Sequence, residues 1–216
     1  MRISLIAMPL ACFLAATGVF LGWQAAHAAR QNLGFNPYEP QHWVTSQMEV
    51  ETAAVTNRRA PEMKCETEAG KPFQLAPAEG DKPQFVLFIK DNCPCSIDAQ
   101  PLFNRLAEKF GSQISFVGVI DGDQKQTKEY ASQFSVAFPV IADAKLNIIH
   151  AYKADAGIFS CLVAKNGHII KMWPGYSASL LEDMNHVMSA EAGVRETSFD
   201  PQYAPIKKAT GCAYSW

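Results

Sequence analysis

The sequence has little net charge and no run of basic residues. Its 19 Lys and Arg are scattered among 21 Asp and Glu, giving a formal net charge of −2, whereas nucleic-acid binders gather their cations on one face. No nucleic-acid partner is expected. Internal repeats and low-complexity segments are absent, which excludes a stacked-repeat architecture. Charged residues make up only 19% of the chain against 48% hydrophobic, a balance that excludes general disorder and supplies one ordinary core. At 216 residues a single domain with extensions is the expected organisation.

Residues 1–28 differ from the rest. Arg2 is their only charge, residues 3–23 are almost wholly apolar, and Ala26-His27-Ala28 offers an A-x-A cleavage site, the pattern of an export signal. The apolar run, about 20 residues, is also long enough to cross a bilayer as an uncleaved anchor. An exported, periplasmic location is expected, with attachment to the membrane through residues 3–23 as the alternative. Cleavage would remove Cys12 and leave Cys65, Cys93, Cys95, Cys161 and Cys212. An odd number of cysteines leaves at least one thiol unpaired within the monomer.

Residues 29–60, rich in Gln, Asn, Pro and Thr, read as a linker that can hold a short helix near 48–55. The domain is expected over 61–192, followed by a tail at 193–216. Two short strands at 63–66 and 73–75, joined across Glu68-Ala69-Gly70-Lys71, form a hairpin that opens the domain. Residues 83–90 are a β-rich and nearly continuous apolar run, as in a strand buried on both faces. Ile97, Pro101, Leu102, Leu106, Ala107 and Phe110 then recur at helical spacing until Gly111. A second buried strand at 114–120, a helix at 124–134 and a short strand at 140–142 imply parallel βαβ connections. A short helix at 146–152, strands at 158–164 and 168–173 around Asn166-Gly167, and a helix at 177–190 complete an α/β domain with a central mixed sheet. The tail is irregular but ends in Gly211-Cys212-Ala213-Tyr214-Ser215-Trp216, unusually aromatic for a free end, and is expected to dock.

Cys93-Pro94-Cys95-Ser96 lies where the central strand passes into the helix, at the carboxyl edge of the sheet where open α/β sheets hold their ligands. With Pro94 at the first helical position, Cys93 becomes the N-cap, and its sulfur is expected to face the backbone N–H groups of Cys95 and Ser96. Those donors and the positive helix end favour the thiolate. The thiolate is the nucleophile of disulfide exchange and peroxide reduction, so Cys93 is the candidate nucleophile and Cys95 its nearest partner.

The segments FVLFIKDNCPCS, PLFNRLAEKF and CLVAKNGHIIKMWPG resemble the thioredoxin-like redoxins, the group that contains alkyl hydroperoxide reductase/thiol-specific antioxidant domains and exported thioredoxins. The resemblance covers about residues 60–190. It implies a thioredoxin-like fold and an oxidoreductase acting on thiols, disulfides or hydroperoxides, with antioxidant activity, no organic cofactor, and as partner a thiol or disulfide protein or a reductant, with a hydroperoxide as a further substrate. Aligning Pro101 with the proline that kinks this helix in thioredoxins puts Cys93 on the first cysteine of their C-x-x-C motif and Ser96 on the second. Ala156-Gly157-Ile158 stands where thioredoxins carry a cis-proline. Val86 and Lys90, or Phe88 and Asn92, stand where peroxiredoxins carry an upstream Pro and Thr or Ser.

A C-P-C pair closes only a small, strained disulfide ring. Two arrangements remain open: a Cys93–Cys95 redox couple, or a Cys93 nucleophile resolved by a third thiol, for which Cys212 is the candidate. Cys212 can instead pin the tail to Cys65. Cys161, inside an apolar strand beside the site, reads mainly as core. Lys90 would lower the thiol pKa and Asp91 raise it. Two readings from other classes stand beside the enzyme: a copper chaperone using Cys93, Cys95 and His150, since thiolates suit Cu(I), and a redox-inactive thioredoxin-like scaffold.

Overall fold

The computed structural model describes residues 42–76 and 80–214; the export or anchor segment at 1–28 lies outside them. Helix α1 (Ser46–Ala53) falls in the described part of the expected linker. Thr45 caps it by accepting the Met48 N–H. The chain after α1 then pairs with the sheet edge, Asn57 N–H donating to Ile169 O at 2.8 Å and Ala60 N–H to Gly167 O at 2.9 Å.

Strands β1 (Met63–Glu66) and β2 (Pro72–Leu75) form the expected antiparallel hairpin as a separate small sheet. The main sheet contains β3 (Gln84–Ile89), β4 (Ser115–Ile120), β5 (Val140–Ala142), β6 (Ser160–Val163) and β7 (Ile169–Trp173), in the order β5-β4-β3-β6-β7. β3 runs parallel to β4 and antiparallel to β6, so the sheet is mixed. Every residue of β3 is buried, as its nearly continuous apolar run requires of a strand covered on both faces.

Helix α2 (Pro94–Phe110) follows β3 directly. Ala99, Leu102, Phe103, Leu106 and Phe110 form its buried stripe, and each large member contributes about 1.5–3 kcal/mol by leaving water. Phe103 lies 6.0 Å from Phe85 of β3, whose ring also meets Phe116 and Trp173 at 5.1 and 6.2 Å. This aromatic layer fixes the height at which α2 begins. Helices α3 (Gln124–Gln133), α4 (Asn147–Ala151) and α5 (Ala178–Glu191) complete the domain. Asp123 and Gln126 form a capping box on α3, and Ser177 caps α5. α4 begins at Leu146, in the left-handed region and without a cap of its own. Asp143 serves instead, its Oδ2 accepting the Ile148 and Ile149 N–H groups at 2.9 Å each.

The C-terminal tail docks through isolated β-bridges. Ala209 exchanges both backbone hydrogen bonds with Tyr176, and Thr210 N–H donates to His42 O. Gly211 N–H donates to Gly157 O at 2.8 Å, Gly157 N–H to Cys212 O at 3.0 Å, and Tyr214 N–H to Asp155 O at 3.1 Å. Tyr214 is buried, with the Lys90 ammonium 5.7 Å from its ring. This extended terminal stretch is a strap across the end of the sheet where α2 starts.

Candidate active site

Cys93 is the N-cap of α2 with extended backbone, and Pro94 opens the helix behind it. The chain turns into this position through Asn92, whose φ of 54° lies in the left-handed region that Asn tolerates. The Cys93 side chain is 1% exposed. Its sulfur makes no side-chain capping hydrogen bond, and of the two helix-end N–H groups expected to face it, only that of Ser96 contributes. The Cys95 thiol takes the largest part in lowering its pKa, burial opposes, and the Cys212 thiol and Cys212 N–H follow. The Ser96 N–H adds least, and the net effect lowers the Cys93 thiol to about 4. The Cys212 N–H donates to Cys93 Sγ at 3.2 Å.

Cys212 moves the other way. Burial, then the hydrogen bond with Cys93 and its charge, push its thiol up to about 12, against a small opposing effect of the Lys90 charge. Three cysteines therefore meet at one point, one inclined to the thiolate and two placed to donate to it. Hydrogen bonding to a charged form favours that form, so of the three thiols Cys93 is the one the arrangement holds most readily as a thiolate.

Other expected residues fall differently. Lys90 is turned to Asp121, with Nζ 2.5 Å from Oδ2, and is not among the groups that lower Cys93; its charge acts on Cys212. Ser96 is buried, and its Oγ accepts the Lys90 N–H at 3.2 Å, closing the strand-to-helix turn. Cys161 is fully buried opposite Val86 and Met172, and burial raises its thiol far above the usual range. Cys65 lies on β1 and lines a cavity of about 510 Å³ with Met63, Ile141 and Asp143. Burial and the Asp143 charge raise its thiol. The alternative tail disulfide from Cys65 to Cys212 is corrected: the strap carries Cys212 to Cys93, and none of the five described cysteines is bridged. His150 is exposed on α4. Among the described residues no group of three His, Cys, Asp or Glu side chains is arranged to hold a metal ion, so Cys93, Cys95 and His150 do not form the trio required of a copper site.

Two features of the site escaped the sequence reading. Asp121, at the end of β4, accepts the Asp91 N–H at 2.6 Å as well as holding Lys90. The in-register pairing of Ile89 with Ile120 places Lys90 and Asp121 side by side, so aligning the two strand ends would have found this pair. Tyr130 of α3 donates its hydroxyl to Ser96 O and Gln100 Oε1, at 3.3 Å each. Burial first, then the Cys93 and Asp91 charges, keep this phenol protonated. Asp121→Asn is expected to loosen the loop before Cys93 and cost about 1–3 kcal/mol, read by urea denaturation. Unchanged stability would contradict this role for Asp121.

A mixed sheet flanked by helices, with a helix following its central strand directly, is a thioredoxin-like fold. The chain belongs to the AhpC/TSA family, whose match spans residues 56–172, more than half of the sequence. Solved structures share the fold at low identity. One is that of a putative thiol:disulfide interchange protein DsbE from Chlorobium tepidum, with 19% identity, TM-score 0.58, and coverage of 64% of this chain and 98% of that one. Another is peroxidoxin BcpB from Mycobacterium tuberculosis, with 15% identity, TM-score 0.54, and coverage of 65% and 97%. A third is peroxiredoxin Q from Xanthomonas campestris, with 19% identity, TM-score 0.53, and coverage of 65% and 94%. No curated protein matches the chain.

Proposed function

We propose that this protein is an exported thiol-dependent oxidoreductase in which the Cys93 thiolate attacks a hydroperoxide or disulfide and Cys212 resolves the product. The observation that carries the reading is the meeting of Cys93 with the strap, the Cys212 N–H lying 3.2 Å from Cys93 Sγ. With a hydroperoxide, the sulfur attacks the terminal oxygen. The O–O bond breaks, the alkoxide leaves as alcohol after taking a proton, and Cys93 becomes a sulfenic acid. The Cys212 thiol then displaces hydroxide, which leaves as water, and a Cys93–Cys212 disulfide forms. An external dithiol reduces it by exchange. With a disulfide as oxidant, Cys93 forms a mixed disulfide, and Cys212 or Cys95 releases the second thiolate.

Cys212 suits the second step because of its protonation. While Cys93 is a thiolate, its charge and hydrogen bond keep Cys212 a thiol. Oxidation of Cys93 removes that charge, and Cys212 ionises more easily when it is needed. The burial of Cys93 beneath the strap favours a small hydroperoxide over a folded protein disulfide as the oxidant.

The test is peroxide consumption and insulin reduction by the full chain and by its single cysteine variants, with a dithiol reductant present. Peroxide consumption that depends on Cys93 supports the reading; activity unaffected by loss of Cys93, or none at all, sinks it. The exported location is tested by fractionating cells that express the chain. Recovery in the periplasm supports export, membrane recovery supports the anchor at 3–23, and cytosolic recovery overturns both.

A further inference from the structure

The strap meets the body of the protein through two facing glycines. A Cβ on Gly211 would lie 2.7, 2.8 and 2.9 Å from the O, C and Cα atoms of Gly157. These are backbone atoms, so the collision could be relieved only by moving one segment off the other. On its far side Gly157 is equally confined, because a Cβ there would lie 2.9 Å from Lys90 Cβ and 3.1 Å from Ser96 Oγ. The strap is also held on both flanks, by the Ala209–Tyr176 pair and by the Tyr214 N–H bond to Asp155. The next residue after Gly211 is the one whose N–H reaches Cys93 Sγ.

We infer that the strap activates Cys93 through the main-chain N–H of Cys212, and that Gly211 is the positioning residue that sets this donor's distance. The inference deepens the proposed function and rests on Cys93 being its nucleophile. Burial by itself disfavours a thiolate, so a buried sulfur that ionises readily needs donors aimed at it. Cys95 supplies one from the helix side. The strap supplies another, and a backbone N–H does so without the rotamer freedom of a side chain. Cys212 thus has separable duties: its thiol resolves, and its amide activates. Tyr130, Tyr176 and Tyr214, on α3, in the turn after β7 and on the strap, lie within electrostatic reach of Cys93. Each phenol is held protonated by burial, so none adds a negative charge that would oppose the thiolate. Closing of the strap and ionisation of Cys93 are therefore linked, each favouring the other.

The substitutions Cys212→Ala and Cys212→Pro separate the two duties, since both remove the thiol but only proline removes the N–H. The Cys93 titration is followed through its Cβ carbon shift by NMR on the full reduced chain, with no substrate present. A failed peroxidase assay therefore cannot be confused with failure of this inference. The Cys93 pKa in Cys212→Pro is expected to exceed that in Cys212→Ala by about one to two units. Gly211→Ala, which keeps the thiol, is expected to raise it in the same direction. Equal pKa values in the alanine and proline variants would overturn the inference. Should either variant fail to fold, the wild-type protein still decides: the Cys212 amide proton must shift with the same midpoint as Cys93, and an amide that ignores that titration would refute the contact.

Discussion

Cys93→Ser is expected to take turnover to the uncatalysed background with peroxide and disulfide alike. At neutral pH a thiol with a pKa of about 4 is almost wholly thiolate, whereas a serine hydroxyl in the same place is almost wholly protonated and a far weaker nucleophile. Three of the other four described cysteines are not placed to substitute. Cys161 is fully buried with its thiol raised far above the usual range, Cys65 is raised and lies on the hairpin, and Cys212 is held protonated while Cys93 is a thiolate. Retention of a substantial fraction of activity in Cys93→Ser, measured as peroxide loss per enzyme, would move the nucleophile elsewhere.

Cys212→Ser is expected to leave the first oxidation of Cys93 nearly as fast as in the wild type and to slow steady turnover about 10²-fold or more. The asymmetry follows from what each step uses. The first step needs the thiolate, and serine retains both the main-chain donor and a hydroxyl. The second step needs a sulfur held against Cys93, and replacing an intramolecular partner with a dissolved thiol forfeits a large effective concentration. The competing resolver is Cys95, whose thiol also contacts Cys93. Peptide mapping distinguishes them. After one equivalent of oxidant, trypsin should yield residues 91–105 joined to 209–216 when Cys212 resolves. It would yield 91–105 alone, lighter by two hydrogens, when the Cys93–Cys95 ring closes. Collapse of turnover in Cys95→Ser but not in Cys212→Ser would make the C-P-C pair the working couple.

Most of the fold was legible because strong local signals agreed. The apolar run of β3, the Pro94 start and Gly111 stop of α2, and the Asn166-Gly167 turn, where Gly167 has a φ of 78°, each point to one local structure. The position of Cys93 followed from the same signals. Its donors did not, because they come from distant parts of the chain. The aromatic tail announced that it would dock, yet its landing place depends on the contact of Gly211 with Gly157, and neither glycine carries a periodic signal. Asp121 was hidden for a similar reason: its partners become visible only when β3 and β4 are aligned strand against strand. Proximity along the chain leaves Lys90 either tuning the thiol or simply flanking the strand end. Asp121 claims its ammonium instead, since a carboxylate at hydrogen-bond distance outcompetes a thiolate further away.

The low thiol pKa also fixes a pH dependence. Cys93 has its folded pKa lowered from about 9 to about 4. The thiolate's contribution to folding of the reduced protein is therefore complete above the ordinary thiol pKa and is lost as pH falls through about 4. The same preference for the thiolate stabilises the reduced state, so a disulfide at Cys93 is expected to be oxidising.

The central claim is that Cys93 is a preformed thiolate, and its alkylation rate as a function of pH tests this most directly. Quantified at Cys93 by mass spectrometry on the reduced full chain, the rate should stay flat from neutrality down to about pH 5 and fall with a midpoint near 4. A rate that instead rises tenfold per pH unit through neutrality, with a midpoint near that of an ordinary cysteine, would contradict it.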